Sequence, residues 1–196
     1  TEATSPAQND SLNAAAVTTG TRLHAVRFYE SRESLARIVG TFLGEGFLAG
    51  LPAIVIATPE HCDAIRQSLA ARYFDVSRLE AAKDLIIVDA AETLSRFIVD
   101  GMPDTGRFKD AMIPLIELAC RGRSDCVIRA YGEMVDVLWQ AGQTAAAIRL
   151  EMLWNQLAQT HAFALLCGYS MGHFYKAVGQ PDVRQHHTHL VSDSGE

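Results

Sequence analysis

The sequence predicts an α/β protein, a three-layer sandwich with a mainly parallel central sheet. Three observations carry this reading. Short apolar runs bounded by Gly, Pro or Asp alternate with longer segments whose apolar residues recur at helical spacing. The apolar runs, such as PAIVIAT at 52–58 and DLIIV at 84–88, are continuous, as in strands covered on both faces. The alternation extends over about 150 residues, and right-handed crossovers then put helices on both sides of the sheet.

Residues 23–29 (LHAVRFY) open the pattern as a strand. From Ser31 to Ala49 the apolar residues Leu35, Ile38, Val39, Phe42 and Leu43 form a helical stripe, with Ser31, Glu33 and Ser34 as start signals. Strand 52–58 leads into Pro59, a first-turn proline that opens a helix to about Tyr73. A third strand, 84–88, ends at Asp89, and a helix from Ala90 to about Val99 follows. GMPDTG at 101–106 is a turn cluster. A helix at 108–120 comes next, in which Pro114 predicts a kink or a later start. A fourth strand at 125–130, helices at 133–140 and 143–159, a fifth strand at 162–167 and a final helix at 171–178 complete the reading.

Residues 1–20 hold hardly any large apolar side chain and read as a flexible leader. The folded domain is expected over 21–178, with a polar, His-rich tail at 179–196. Hydrophobic residues at 48% and charged residues at 20% exclude a globally disordered chain. The net charge of -6 argues against direct binding to nucleic acid. No apolar run reaches the roughly 20 residues of a membrane helix. The N-terminus lacks signal-peptide features, so a cytoplasmic location is expected. None of the four cysteines forms a C-x-x-C pair, and Cys126 and Cys167, inside apolar runs, read as small buried hydrophobes. His186, His187 and His189 resemble a metal tract, but nothing fixes a coordination geometry, so no metal and no cofactor are expected.

A phosphate-binding loop needs glycines and a Lys after the first strand. Here the turn reads Tyr29-Glu30-Ser31-Arg32-Glu33, and none of the chain's three lysines (Lys83, Lys109, Lys176) follows a Gly. The chain therefore lacks a Walker A site. Asp89 resembles the Asp of a Walker B strand, yet a helix cap at Ala90 is the simpler role. Ligands of parallel sheets bind beyond the carboxyl ends of the strands. That rule picks out Tyr29-Glu30, Thr58-Glu60-His61, Asp89, Tyr131-Glu133 and Tyr169-Ser170 as a functional rim. The densest chemical cluster runs from Arg129 through Tyr131 and Glu133 to Trp139, and a second holds Glu151, Trp154 and Asn155 on one helix. Arg129 could pair with Glu133 or Glu151 in a buried network, or the same residues could grip a polar ligand. The candidate ligand-binding residues are His24, Tyr29, Glu30, Asp89, Arg129, Tyr131, Glu133, Trp139, Glu151, Trp154 and Asn155. No G-x-S-x-G or other nucleophile signature is present, so no catalytic residue is assigned.

The blocks HAVRFY at 24–29, FLGEG at 42–46 with PAIVIAT, and DAAETL at 89–94 with Phe97 resemble a MEDS domain, the methanogen/methylotroph, DcmR sensory domain. So do YGEMV at 131–135, Leu138-Trp139, LEMLWN at 150–155 and LCGY at 166–169. The resemblance covers about residues 23–175. It implies a RecA/KaiC-like fold that has lost its phosphate loop, and a sensory role in which a small molecule, apolar or hydrocarbon-derived, is bound. It also implies output through a partner kinase, anti-sigma factor or transcriptional regulator. No output module accompanies the domain in these 196 residues, so the chain is either an excised piece or a sensor acting through a partner. A non-enzymatic sensor is the first expectation. The alternative is a protein-interaction or oligomerisation module derived from a degenerate ATPase. Met134, Trp139, Met152, Leu153 and Trp154 suggest a surplus apolar face and hence a homodimer.

Overall fold

Strands without a polar face need cover on both sides, and the chain provides it. A computed structural model describes residues 23–123 and 125–170 and the backbone of 189–191. In chain order the strands are β1 (Leu23–Tyr29), β2 (Ala53–Ala57), β3 (Leu85–Asp89), β4 (Ile98–Val99), β5 (Met102–Pro103), β6 (Ile128–Gly132), β7 (Phe163–Ser170) and β8 (His189–Val191). β4 and β5 form a small antiparallel hairpin. The other six make one sheet of order β3-β2-β6-β7-β1-β8 in which every neighbouring pair is parallel. The helices are α1 (Arg32–Leu48), α2 (Pro59–Ala70), α3 (Val76–Ala81), α4 (Ala90–Ser95), α5 (Thr105–Cys120), α6 (Met134–Gln140) and α7 (Thr144–Leu157).

Side chains alternate across the sheet and divide the core in two. Ala25, Val55, Tyr131 and Leu166 face the layer of α1, α2 and α3, where Leu35, Val39, Ile65 and Leu69 cover them. Val26, Ile56, Ala130, Leu165 and Cys167 face the layer of α4 to α7. Phe97, Phe108, Trp154 and Phe163 stack there edge to face, with centroids 5.2–5.9 Å apart. The α/β three-layer sandwich with a parallel central sheet thus stands.

Local signals account for most helix starts. Ser31 and Ser34 form a reciprocal capping box at α1, both bonds 3.1 Å. Asp89 caps α4, accepting from the Glu92 N–H at 2.6 Å, and Asp104 caps α5 in the same way. The helix expected from Ala90 stops at Ser95, because the turn cluster at 101–106 folds the chain into the β4-β5 hairpin. The helix expected at 108–120 begins at Thr105, with Pro114 inside it. The short α3 carries no buried residue, so no apolar stripe announced it. The fourth strand begins three residues and ends two residues later than expected, and the fifth extends to Ser170, placing Tyr169 within it.

Two expectations are corrected. Cys126 is not a lone buried hydrophobe: it is joined by a disulfide to Cys120, tying the end of α5 to the segment before β6. The surplus apolar face is largely absent, since Met134, Leu153 and Trp154 are buried, Trp139 packs against the same core, and Met152 alone is exposed. The expected helix at 171–178, the leader and the tail lie outside the described residues, apart from β8, which pairs with β1. Among the described residues no helix is long and apolar enough to cross a membrane.

Candidate functional site

β2 and β6 lie side by side, yet the chain leaves β2 through α2 into one layer and leaves β6 through α6 into the other. In parallel sheets such divergence is where ligand crevices form, at the carboxyl ends of the two strands. Glu133 lies at that point, 2% exposed, at the N-cap of α6. Its backbone N–H donates to the Ile56 carbonyl at 3.0 Å, continuing the ladder between the strands. Its carboxylate receives three donors: His61 Nδ1 at 2.7 Å and the Tyr131 hydroxyl at 3.1 Å on Oε1, and the Thr58 N–H at 3.2 Å on Oε2. Two of these come from the start of α2, so the side chain that begins α6 also holds the beginning of the helix opposite.

Tyr29, from the end of β1, and Asp136, from the first turn of α6, extend the cluster. The Tyr29 hydroxyl donates to Asp136 Oδ2 at 3.4 Å, and the Gln140 amide donates to the same oxygen at 2.8 Å. The Tyr29 ring meets the His61 ring edge-on, centroids 5.6 Å apart. The hydrogen bond to Glu133 raises the His61 pKa above its ordinary value against the opposing effect of burial. Burial and the nearby carboxylates push both tyrosines upward: Asp136 and Glu133 act on Tyr29, and Glu133 leads on Tyr131. Two buried carboxylates near one imidazole make the cluster rich in acceptors. His61 is the half-open member, its side chain 18% exposed.

The expected pairing of Arg129 with Glu133 or Glu151 does not occur. Arg129 lies at the opposite end of β6 under the end of α1, where it donates to the Phe42 carbonyl at 2.6 Å and meets Glu45 at 3.3 Å. Its guanidinium stacks on Phe42, and burial lowers its pKa. Gly46 makes this possible, because a Cβ there would come within 2.9 Å of Arg129 Cγ. Four residues of strand rise, about 13 Å, separate positions 129 and 133, and an odd-numbered pair on the same face still cannot meet along a strand.

Glu151 instead belongs to a second buried cluster with His24 of β1 and Cys167 of β7. His24 Nε2 lies 3.2 Å from Glu151 Oε2 and 3.3 Å from Cys167 Sγ, while His24 Nδ1 meets Asn155 Oδ1 at 2.9 Å. The Tyr169 hydroxyl donates to Glu151 Oε1 at 2.6 Å. Burial and the Glu151 carboxylate raise the Cys167 thiol well above its ordinary range. The remaining candidates separate from both clusters: Glu30 is exposed, Asp89 is engaged as a cap, and Trp139 and Trp154 serve the core. An apolar cleft between the sheet and α5, lined by Ile54, Ile56, Met112, Ile116 and Leu165, has about 10 Å³ of free volume. That is room for about one water, so an apolar ligand would have to displace α5.

The end-of-strand rule locates Tyr29, Thr58, His61, Tyr131 and Glu133 together, as the structure does. It misses Asp136 and Gln140, whose only sequence signal is their i, i+4 spacing on a helix that begins at the rim. Cys167, read as a hydrophobe, is missed as a neighbour of His24, because that contact depends on strand order. A comparison with curated proteins finds no match. The family comparison does, over residues 23–188, which include every strand of the sheet but β8 and both polar clusters. That match, over most of a chain folded as an α/β sheet, shows that the chain belongs to the MEDS family, the methanogen/methylotroph, DcmR sensory domain.

Proposed function

We propose that the domain, whose sensory-domain family gives the coarse sensory and regulatory role, is a non-enzymatic sensor that binds a small molecule at the carboxyl ends of β2 and β6 and signals through a partner kinase, anti-sigma factor or transcriptional regulator. The observation that carries this is the 2.7 Å contact of His61 with Glu133, which bridges two helices leaving the sheet in opposite directions. A ligand that takes over an acceptor of Glu133, or replaces His61 as its donor, changes the position of α2 against α6. Because Glu133 and Asp136 are acceptors, the ligand is one that brings donors: an amine or a hydroxyl compound in preference to a carboxylate or phosphate. The raised tyrosines are held as neutral hydroxyls, which suits binding more than proton abstraction.

Melting curves with size-matched amines, alcohols and carboxylates test the reading, since a ligand selective for the folded state raises its apparent stability. The amines or alcohols are expected to raise the Tm of the wild-type domain and to lose that effect in Glu133→Gln. A panel that leaves the wild type unmoved, or that stabilises both proteins equally, would overturn it. A cytoplasmic location suits such partners, and there the Cys120–Cys126 bridge is expected to be open. Counting thiols in protein trapped with alkylating agent at lysis tests this, and a bridge found closed would argue for an oxidising compartment.

A further inference from the structure

The second cluster combines an imidazole, a thiol and a carboxylate, three donor types that bind borderline divalent ions. We infer that His24, Glu151 and Cys167 form a binding site for a transition-metal ion of the zinc class. The inference is independent of the ligand site proposed above. One atom from each residue, Nε2 of His24, a carboxylate oxygen of Glu151 and Sγ of Cys167, lies within 4.8 Å of the other two. Bond lengths to zinc of about 2.0–2.3 Å put tetrahedral N···S and N···O pairs about 3.6 and 3.4 Å apart. The observed separations, 3.3 and 3.2 Å, need only a few tenths of an ångström of expansion.

The surrounding contacts orient these donors. His24 and Cys167 share one face of adjacent strands, with Val26 registered opposite Cys167 and His24 opposite Leu165. Glu151 comes down onto them from α7, and Asn155, one turn further along that helix, meets His24 Nδ1. With the Nδ1 proton donated to the Asn155 carbonyl oxygen, the lone pair of the neutral ring sits on Nε2, the nitrogen facing Glu151 and Cys167. Tyr169 holds Glu151 Oε1, so the carboxylate presents Oε2 toward the ring. Histidines and carboxylates that bind metals are oriented by hydrogen bonds of this kind on their far sides.

Charge favours the same ion. All three residues are at least 94% buried, where an uncompensated charge is expensive. A divalent cation, one thiolate, one carboxylate and one neutral imidazole sum to zero. On binding, the Cys167 S–H bond breaks, a sulfur–metal bond forms and the proton leaves to solvent. The thiolate and imidazole select zinc, cobalt or iron over magnesium and calcium, which prefer oxygen. Three donors among the described residues leave a fourth position for a further ligand, water included.

Cobalt(II) reports both ion and sulfur. The full chain, reduced and then titrated with cobalt alone, is expected to bind one equivalent and to show ligand-field bands with a sulfur-to-cobalt charge-transfer band. Zinc should then displace the cobalt stoichiometrically. Cys167→Ser should abolish the charge-transfer band, whereas Cys62→Ser and replacement of His186, His187 and His189 by Gln should leave it intact. Asn155→Ala, which keeps all three donors, should weaken binding about 10–100-fold. The absence of a charge-transfer band in the wild-type chain would overturn the assignment whatever the variants do. So would a band that survives in Cys167→Ser or disappears with Cys62→Ser. Should Cys167→Ser fail to fold, His24→Asn and Glu151→Gln serve in its place, and unchanged affinity in either would count against the site.

Discussion

Glu133 shows how one side chain can hold two elements. Buried at 2% exposure, it has a donor from each of Thr58, His61 and Tyr131. Glu133→Gln removes the charge that His61 and the two other donors face, and is expected to lower stability by about 1–3 kcal/mol in urea melts. The pH dependence has a definite sign. The pKa of His61 is raised in the folded state, so its contribution is complete below the unfolded value of about 6.5 and is lost as pH rises through the folded value. Wild-type stability should therefore fall across that window by an amount absent from Glu133→Gln; equal slopes in the two proteins would contradict the assignment. Gly168 is a second sensitive position. A Cβ there would collide with the Tyr131 hydroxyl, which Glu133 holds in place. Gly168→Ala should destabilise by about 1–3 kcal/mol, as overpacking does.

At the scale of elements, α5 and its exit are the part of the fold most open to experiment. Pro114 removes one backbone donor from the helix, and the disulfide ties its last residue to the approach to β6. The bridged positions are only six residues apart, so loop-closure entropy gives the bond about 2 kcal/mol. Protein purified in air, where the bridge can close, should show two reactive thiols when denatured without reductant, Cys62 and Cys167, and four once reduced. Reduction should lower the Tm without unfolding the domain at room temperature. Four thiols before reduction would mean that the bridge does not form. Cys62, with its thiol pushed up to about 11 by burial, should react slowly until the chain unfolds.

For the whole molecule, the connection from β1 to α1 governs nucleotide chemistry. It consists of Glu30 and Ser31, and the Ser31 side chain is already committed to the capping box. No glycine frees the backbone there to wrap a phosphate, and acidic residues flank the turn. Calorimetry with magnesium-ATP should give no heat of binding, and a micromolar dissociation constant would refute this. The same scale bears on self-association. With Trp154, Leu153 and Met134 inside the core, the two neighbouring helices lack the apolar stripe that suggested a dimer. A dimer found by light scattering would have to use another surface.

Periodicity and end signals are local, and the features that depend on them were legible in the chain. The buried runs, the α1 capping box, the Asp89 cap, the missing phosphate loop and the rim of Tyr29, His61, Tyr131 and Glu133 all follow from neighbours in sequence. The partnership of side chains is decided elsewhere. Arg129 and Glu133 are four apart in sequence and look paired, but an extended strand carries them to opposite ends of the sheet. His24 and Cys167 are 143 residues apart and touch, because the strand order places β7 beside β1. Strand order emerges from how helices on both faces share out the whole apolar surface, so only the tertiary fold could say which buried charge meets which partner.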